Sequence, residues 1–184
     1  MQWDTEGKMI AAPTGNDKLE DIVENFYIWL GGGWPNYDIF AKLVDENGNT
    51  AAGWPEDGLE ICNAEDRQMN PRGIITPQGL LILWEDLRGG SQTGNDIYGQ
   101  IITYDGNILW QENGLPLVVQ ENDQDNFQFV YDDGLYLIWQ DFRSSYSYNW
   151  EIYAQKFDEN GNELWQEGGV LIAGVNETDC ENLI

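Results

Sequence analysis

Three apolar runs recur along the chain, each closed by a tryptophan: Phe26-Tyr27-Ile28-Trp29, Leu81-Ile82-Leu83-Trp84 and Tyr136-Leu137-Ile138-Trp139. The tryptophans at 29, 84 and 139 are 55 residues apart in both steps. Each run is apolar at consecutive positions, which predicts a strand covered on both faces. A preceding strand is predicted to end near Val23, Thr76 or Tyr131, followed by a tight turn at Glu24-Asn25, Gln78-Gly79 or Asp133-Gly134. Asn- and Gly-containing pairs suit the positive φ of two-residue hairpins. A third strand is predicted from an acid-Ile-aromatic-small pattern: Asp38-Ile39-Phe40-Ala41-Lys42, Asp96-Ile97-Tyr98-Gly99-Gln100 and Glu151-Ile152-Tyr153-Ala154-Gln155. It runs into a turn rich in Asp, Asn and Gly. A fourth strand is predicted to contain a Trp-x-x-x-Gly signature, met at Trp3, Trp54, Trp110 and Trp165. No segment keeps a helical period between caps.

Three signatures in one fixed order make this an all-β tandem repeat of four-stranded antiparallel units. Repeats of roughly 40 to 50 residues with four strands are the mark of β-propeller blades. The expected architecture is an incomplete β-propeller, with blades at about 16–62, 70–119 and 126–174. Segments 1–15 and 175–184 would be parts of flanking repeats in a single repeat domain. Propellers close at about 4 to 8 blades, so three blades leave open edges. Further blades of a longer chain, or self-association, would cover them. Met1-Gln2-Trp3-Asp4 shows no basic region followed by an apolar one. It starts inside a repeat, as a piece of a longer secreted protein would.

Charge narrows the partners. The chain carries 33 acids against 8 bases, a net charge of -25. Such a field repels nucleic acid and anionic membranes, whose partners supply Lys and Arg. No apolar run reaches the roughly 20 residues that cross a bilayer. There is no histidine, which removes the commonest general base and transition-metal ligand. Cys62 and Cys180 lie far apart, with no neighbour at metal-ligand spacing. A single disulfide and two buried thiols both remain open.

Trp84-Glu85-Asp86-Leu87-Arg88 and Trp139-Gln140-Asp141-Phe142-Arg143 share a Trp-x-Asp-x-Arg pattern ahead of the third strand. With the Asp/Glu-Ile-Tyr-small-Gln strand, this resembles propeller-type repeats of large secreted or cell-surface bacterial proteins. The resemblance covers nearly the whole chain and implies an extracellular setting. The first repeat departs from it: Leu30-Gly31-Gly32-Gly33 follows Trp29, with neither Asp nor Arg. Asp158-x-x-Gly161-x-x-x-Trp165 resembles the Asp-box turn of sialidase-like propellers, with altered spacing and no Ser or Thr before the Asp.

Recurrence in register assigns Trp29, Trp84, Trp139, Trp54, Trp110 and Trp165 to packing between repeats. It likewise assigns Asp86 with Arg88, and Asp141 with Arg143, to pinning the loop after the second strand. The Asp-x-Asn-Gly-Asn turns at Asp45 and Asp158 offer oxygen ligands. Calcium needs about 6 to 8 oxygens, so hairpin chemistry is the better reading and no cofactor is expected, Ca²⁺ being the one candidate.

Loop length is uneven. The loops after the second strands, expected at 31–37, 86–95 and 141–150, are long. So are those leading to the first strands, at 14–20, 63–72, 120–126 and 175–182. Both kinds emerge on one face of an antiparallel blade, and long variable loops mark a repeat protein's binding surface. Trp34, Tyr37, Tyr146, Tyr148 and Trp150 stand there among acids and amides. Flat rings beside such groups suit sugar: the ring stacks on its apolar side while polar groups bond its hydroxyls. Packing of the loops is the competing role. The second such loop, Ser91-Gln92-Thr93-Gly94-Asn95, has no aromatic residue.

The expected function is a non-catalytic extracellular or cell-surface module for adhesion or scaffolding, binding glycan or protein through the long-loop face. One alternative is a propeller-type glycoside hydrolase or lyase using paired carboxylates, though no pair is singled out. Another is a purely structural repeat in a larger assembly.

Overall fold

The computed structural model describes residues 9–10, 17–144 and 150–174. They form twelve strands in three four-stranded sheets, with no helix among the described residues. The first sheet holds β1 (Lys18–Val23), β2 (Phe26–Gly33), β3 (Asn36–Leu43) and β4 (Leu59–Cys62). The second holds β5 (Gln68–Thr76), β6 (Gly79–Asp86), β7 (Asp96–Ile102) and β8 (Leu115–Val118). The third holds β9 (Gln124–Tyr131), β10 (Leu135–Asp141), β11 (Glu151–Phe157) and β12 (Val170–Ala173). Each sheet is a meander in chain order. Every residue of β6 is buried, as its unbroken apolar run requires.

Three expected boundaries are corrected. The first loop after a second strand is not long: β2 runs on to Gly33 and β3 starts at Asn36, leaving Trp34 and Pro35 as the whole turn. The Trp-x-x-x-Gly signature does not lie in the fourth strand. Trp54 to Gly58 forms turns, and β4 begins at the next residue. In the second sheet the first turn is Pro77-Gln78, because Gly79 already pairs with Thr76.

The first strands share an irregularity. The register shifts between Leu19 and Asp21 on β1 and between Met69 and Arg72 on β5. Asn70 and Asn126 take φ of 52° and 50°. Asn tolerates this left-handed region, and such bulges bend a strand and re-aim its side chains.

The chain divides into two compact units: Met1–Arg88 with Tyr98–Pro116, and Gly89–Ile97 with Leu117–Ile184. In the first, the core joins Phe26, Ile28, Ile39 and Ala41 to Leu80, Ile82, Trp84 and Ile102. In the second, Leu135, Leu137, Trp139 and Phe157 are buried.

Candidate functional site

The three second-strand tryptophans occupy matching surroundings. Trp29 stacks on Phe40 at 5.7 Å, Trp84 on Tyr98 at 6.4 Å and Trp139 on Tyr153 at 6.1 Å between ring centroids. Each indole lies over the glycine that precedes the fourth strand: Gly58, Gly114 or Gly169. The glycines have φ near +90° and leave room only for hydrogen beneath the ring.

Trp84 Nε1 donates to Asp86 Oδ2 at 2.8 Å, and Trp139 Nε1 to Asp141 Oδ2 at 2.7 Å. Arg88 Nε donates to Asp86 Oδ1 at 2.8 Å and its Nη2 to Oδ2 at 2.5 Å. Arg143 grips Asp141 in the same two-pronged way, at 2.9 and 2.5 Å. The guanidinium of each lies over the neighbouring tyrosine, Arg88 at 4.0 Å from Tyr98 and Arg143 at 4.1 Å from Tyr153. Arg88 Nη2 also donates to Asn113 O at 2.8 Å, and Arg143 Nη1 to Gly168 O at 2.9 Å, each in the backbone before the glycine. Burial opposes the Arg88 charge, but the hydrogen bonds and charge of Asp86 outweigh it and raise its pKa. These groups are spent on the scaffold.

The aspartates also accept from the backbone N–H of Arg88 and Arg143, closing an Asx turn that ends β6 and β10. The first sheet has Gly31 at this position, and its second strand continues to Gly33. Trp29 Nε1 is consequently buried without a hydrogen-bond partner.

Two repeated elements were missed in the sequence. Gln68 and Gln124 are fully buried, and each donates to backbone carbonyls of the loop before its strand. The matching segments Glu65-Asp66-Arg67-Gln68-Met69-Asn70 and Glu121-Asn122-Asp123-Gln124-Asp125-Asn126 carried this signal. Gln100 and Gln155 pin the third strand to the following turn, donating to Gln111 O and Gln166 O at 2.8 Å. In the first sheet Lys42 takes that place and donates to Glu56 O.

Of the tryptophans that precede the fourth strands, Trp54 is buried and donates to Tyr104 O at 2.8 Å. Trp110 is half-buried. Trp165 is 44% exposed, so its expected place in a core between repeats is not what the structure shows.

The loop aromatics separate into three groups. Trp34 is 72% exposed at the hairpin tip, with the Arg67 guanidinium 5.2 Å from its ring centroid. Tyr37, half-buried, helps line a groove of about 500 Å³ in the first compact unit, with Asp17, Lys18, Glu20, Met69 and Asn70. Lys18 Nζ lies 2.6 Å from Glu20 Oε1. In the second compact unit Trp150 is 43% exposed and its ring lies 5.1 Å from that of Phe142. Tyr146 and Tyr148 lie outside the described residues. The aromatic-free loop is tied down instead, Thr93 Oγ1 donating to Asp96 Oδ2 at 2.7 Å.

The Asp45 carboxylate is occupied by its own turn. Oδ1 accepts from the N–H of Asn47 and of Asn49 at 2.8 Å, and Oδ2 from Asn49 Nδ2 at 3.2 Å. Asp158 repeats this with Asn160 and Asn162. The bonds from Asn49 and Asn162 hold the two carboxyls below the ordinary range. Among the described residues no group of three His, Cys, Asp or Glu could hold a metal. Burial, then the Glu60 charge, raises the Asp38 pKa. Cys62 is a free, buried thiol, whose pKa burial pushes up to about 11. Cys180 lies outside the described residues.

Compared with known proteins, the chain matches no family model, and neither a curated protein nor a solved structure is detectably similar to it.

Proposed function

We propose that the chain is a non-catalytic module of β-propeller type from a secreted or cell-surface protein, and that its sheets are successive blades. Its task is adhesion or scaffolding, carried out through the loops around Trp34, Tyr37 and Trp150. The observations that carry this reading are the exposed Trp34 ring at the hairpin tip and, three residues on, Tyr37 in a groove bearing two carboxylates, an ammonium and an amide. Left exposed, the indole forgoes the roughly 1.5–3 kcal/mol or more that burial of a large apolar side chain supplies, and Arg67 is the described side chain over its ring. A ring for stacking together with a set of acceptors and donors favours glycan over a protein ligand.

The repeated carboxylates support the non-catalytic reading, because Asp86 and Asp141 are wholly committed to Trp and Arg. A glycan array probed with the wild-type chain and with the double variant Trp34→Ala/Trp150→Ala tests the reading. Binding by the wild type, lost in the variant at unchanged melting temperature, is expected. Binding that survives the double substitution rules these loops out as the contact surface.

A further inference from the structure

Among the described residues, the third sheet exposes a face that the first sheet keeps covered. In the first compact unit, Phe26, Ile28, Ile39, Ala41 and Trp54 are buried together with Leu80, Ile82 and Trp84 of the second sheet. Trp54 anchors this contact. Its ring meets Phe26 edge-on at 5.7 Å and its Nε1 donates to the Tyr104 carbonyl. Counted along the repeat, the same positions in the third sheet are Tyr136, Ile138, Ile152, Ala154 and Trp165. Tyr136 and Trp165 keep the edge-on arrangement, at 6.0 Å and 69°. Yet Ile138 is 38% exposed where Ile28 is 0%. Val130, opposite Tyr136 in register, is 59% exposed. Val130, Tyr136, Ile138 and Trp165 line a groove of about 290 Å³.

We propose that this face docks a second copy of the chain, head to tail. What covers the equivalent face of the first sheet is the tryptophan-bearing side of the next repeat. The chain has such a side on its first sheet, where Ile10, Asp17, Leu19, Tyr27 and Trp29 line a groove of about 290 Å³ and Leu19 is 57% exposed. Glu46 stands in the turn where Tyr104 stands one repeat later, so its carbonyl in the docked copy is the acceptor for Trp165 Nε1. Several positions differ: Tyr136 stands for Phe26, and on the receiving side Tyr27 stands for Ile82 and Asn25 for Leu80. Gly53 lets the Asp105 backbone approach closely, and Leu164 replaces it in the third sheet. The docked copy therefore meets a side chain there. The two faces are different surfaces, so the interface is heterologous and each copy can engage two neighbours. A net charge of -25 on each copy opposes association, and added salt relieves it. The inference rests on the reading of the sheets as successive units of one stack. It does not involve the Trp34 loop, so glycan binding and self-association can fail separately.

Sedimentation velocity on the full chain tests it, over about 1 to 200 µM, a range that covers weak to moderate interfaces. Leu19→Asp and Val130→Asp alter exposed side chains, and circular dichroism with melting confirms that they fold. The wild type is expected to sediment faster with rising concentration, more so in high salt. Each variant alone is expected to stay monomeric. An equimolar mixture of the two should form a one-to-one complex and nothing larger, since each contributes its one intact face. A wild type that stays monomeric throughout overturns the proposal, as does Leu19→Asp that still self-associates or a mixture that forms no complex.

Discussion

Gly114 lies directly beneath the indole of Trp84, so that a Cβ on the glycine would overlap Cη2 of the ring. Its φ of +90° is also one that other residues rarely adopt. The pair recurs as Gly58 with Trp29 and Gly169 with Trp139. Gly114→Ala combines backbone strain with overpacking and should cost roughly 2–5 kcal/mol in urea denaturation. Gly90 has a φ of +59° but open space around it, so Gly90→Ala should cost only the strain, about 1–2 kcal/mol. Equal costs at the two sites would show that the ring contact contributes nothing.

The repeat was legible because its strongest signals are large and spaced regularly. The Trp29, Trp84 and Trp139 runs do form second strands, and the Ile39, Ile97 and Ile152 segments do form third strands. The hairpin at Trp34 is shorter than the sequence suggests, because the distance between signatures does not distinguish strand from loop. What ends β6 and β10 is the Asx turn at Asp86 and Asp141. With Gly31 in that place, nothing stops the ladder, and it continues to Gly33. The roles of Gln68 and Gln124 were hidden for another reason. A buried glutamine bonded to loop carbonyls has no hydrophobic period, and only three-dimensional placement shows its partners. Exposure of Trp165 is equally hidden, because the Trp-x-x-x-Gly signature is the same at Trp165 as at buried Trp54.

The unpartnered N–H of Trp29 sets it apart from Trp84. Trp84→Phe removes the donor to buried Asp86, whereas Trp29→Phe removes a group that bonds nothing. Both lose similar packing. Asp86 keeps Arg88, so the Trp84 variant should be less stable than the Trp29 variant by about 1.5–3 kcal/mol, the worth of one hydrogen bond to a charged acceptor. Denaturant titrations of the two measure this, and a Trp29 variant at least as damaged contradicts it.

Burial of Cys62 predicts alkaline sensitivity. Its pKa is raised from 9.0 to about 11, so the folded state holds the proton where the unfolded state has lost it. The contribution is fully present below pH 9.0 and is lost as pH rises through about 11. At 1.36 kcal/mol per unit, that is roughly 2–3 kcal/mol. Cys62→Ala should flatten this part of the stability curve relative to wild type. Alkylation of Cys62 by iodoacetamide at pH 8, read on its own peptide apart from Cys180, should proceed only in denaturant; ready labelling of Cys62 in the folded chain would count against a buried thiol.

The division of labour between a locked scaffold and free loops is tested most directly by comparing Asp141→Ala with Trp34→Ala in equilibrium unfolding. Asp141 is fully buried between Trp139 and Arg143, and removing it strands both, at about 3–5 kcal/mol. Trp34 stands in solvent, and its loss should change stability by no more than about 0.5 kcal/mol. A stable Asp141→Ala protein beside a crippled Trp34→Ala protein would contradict the account.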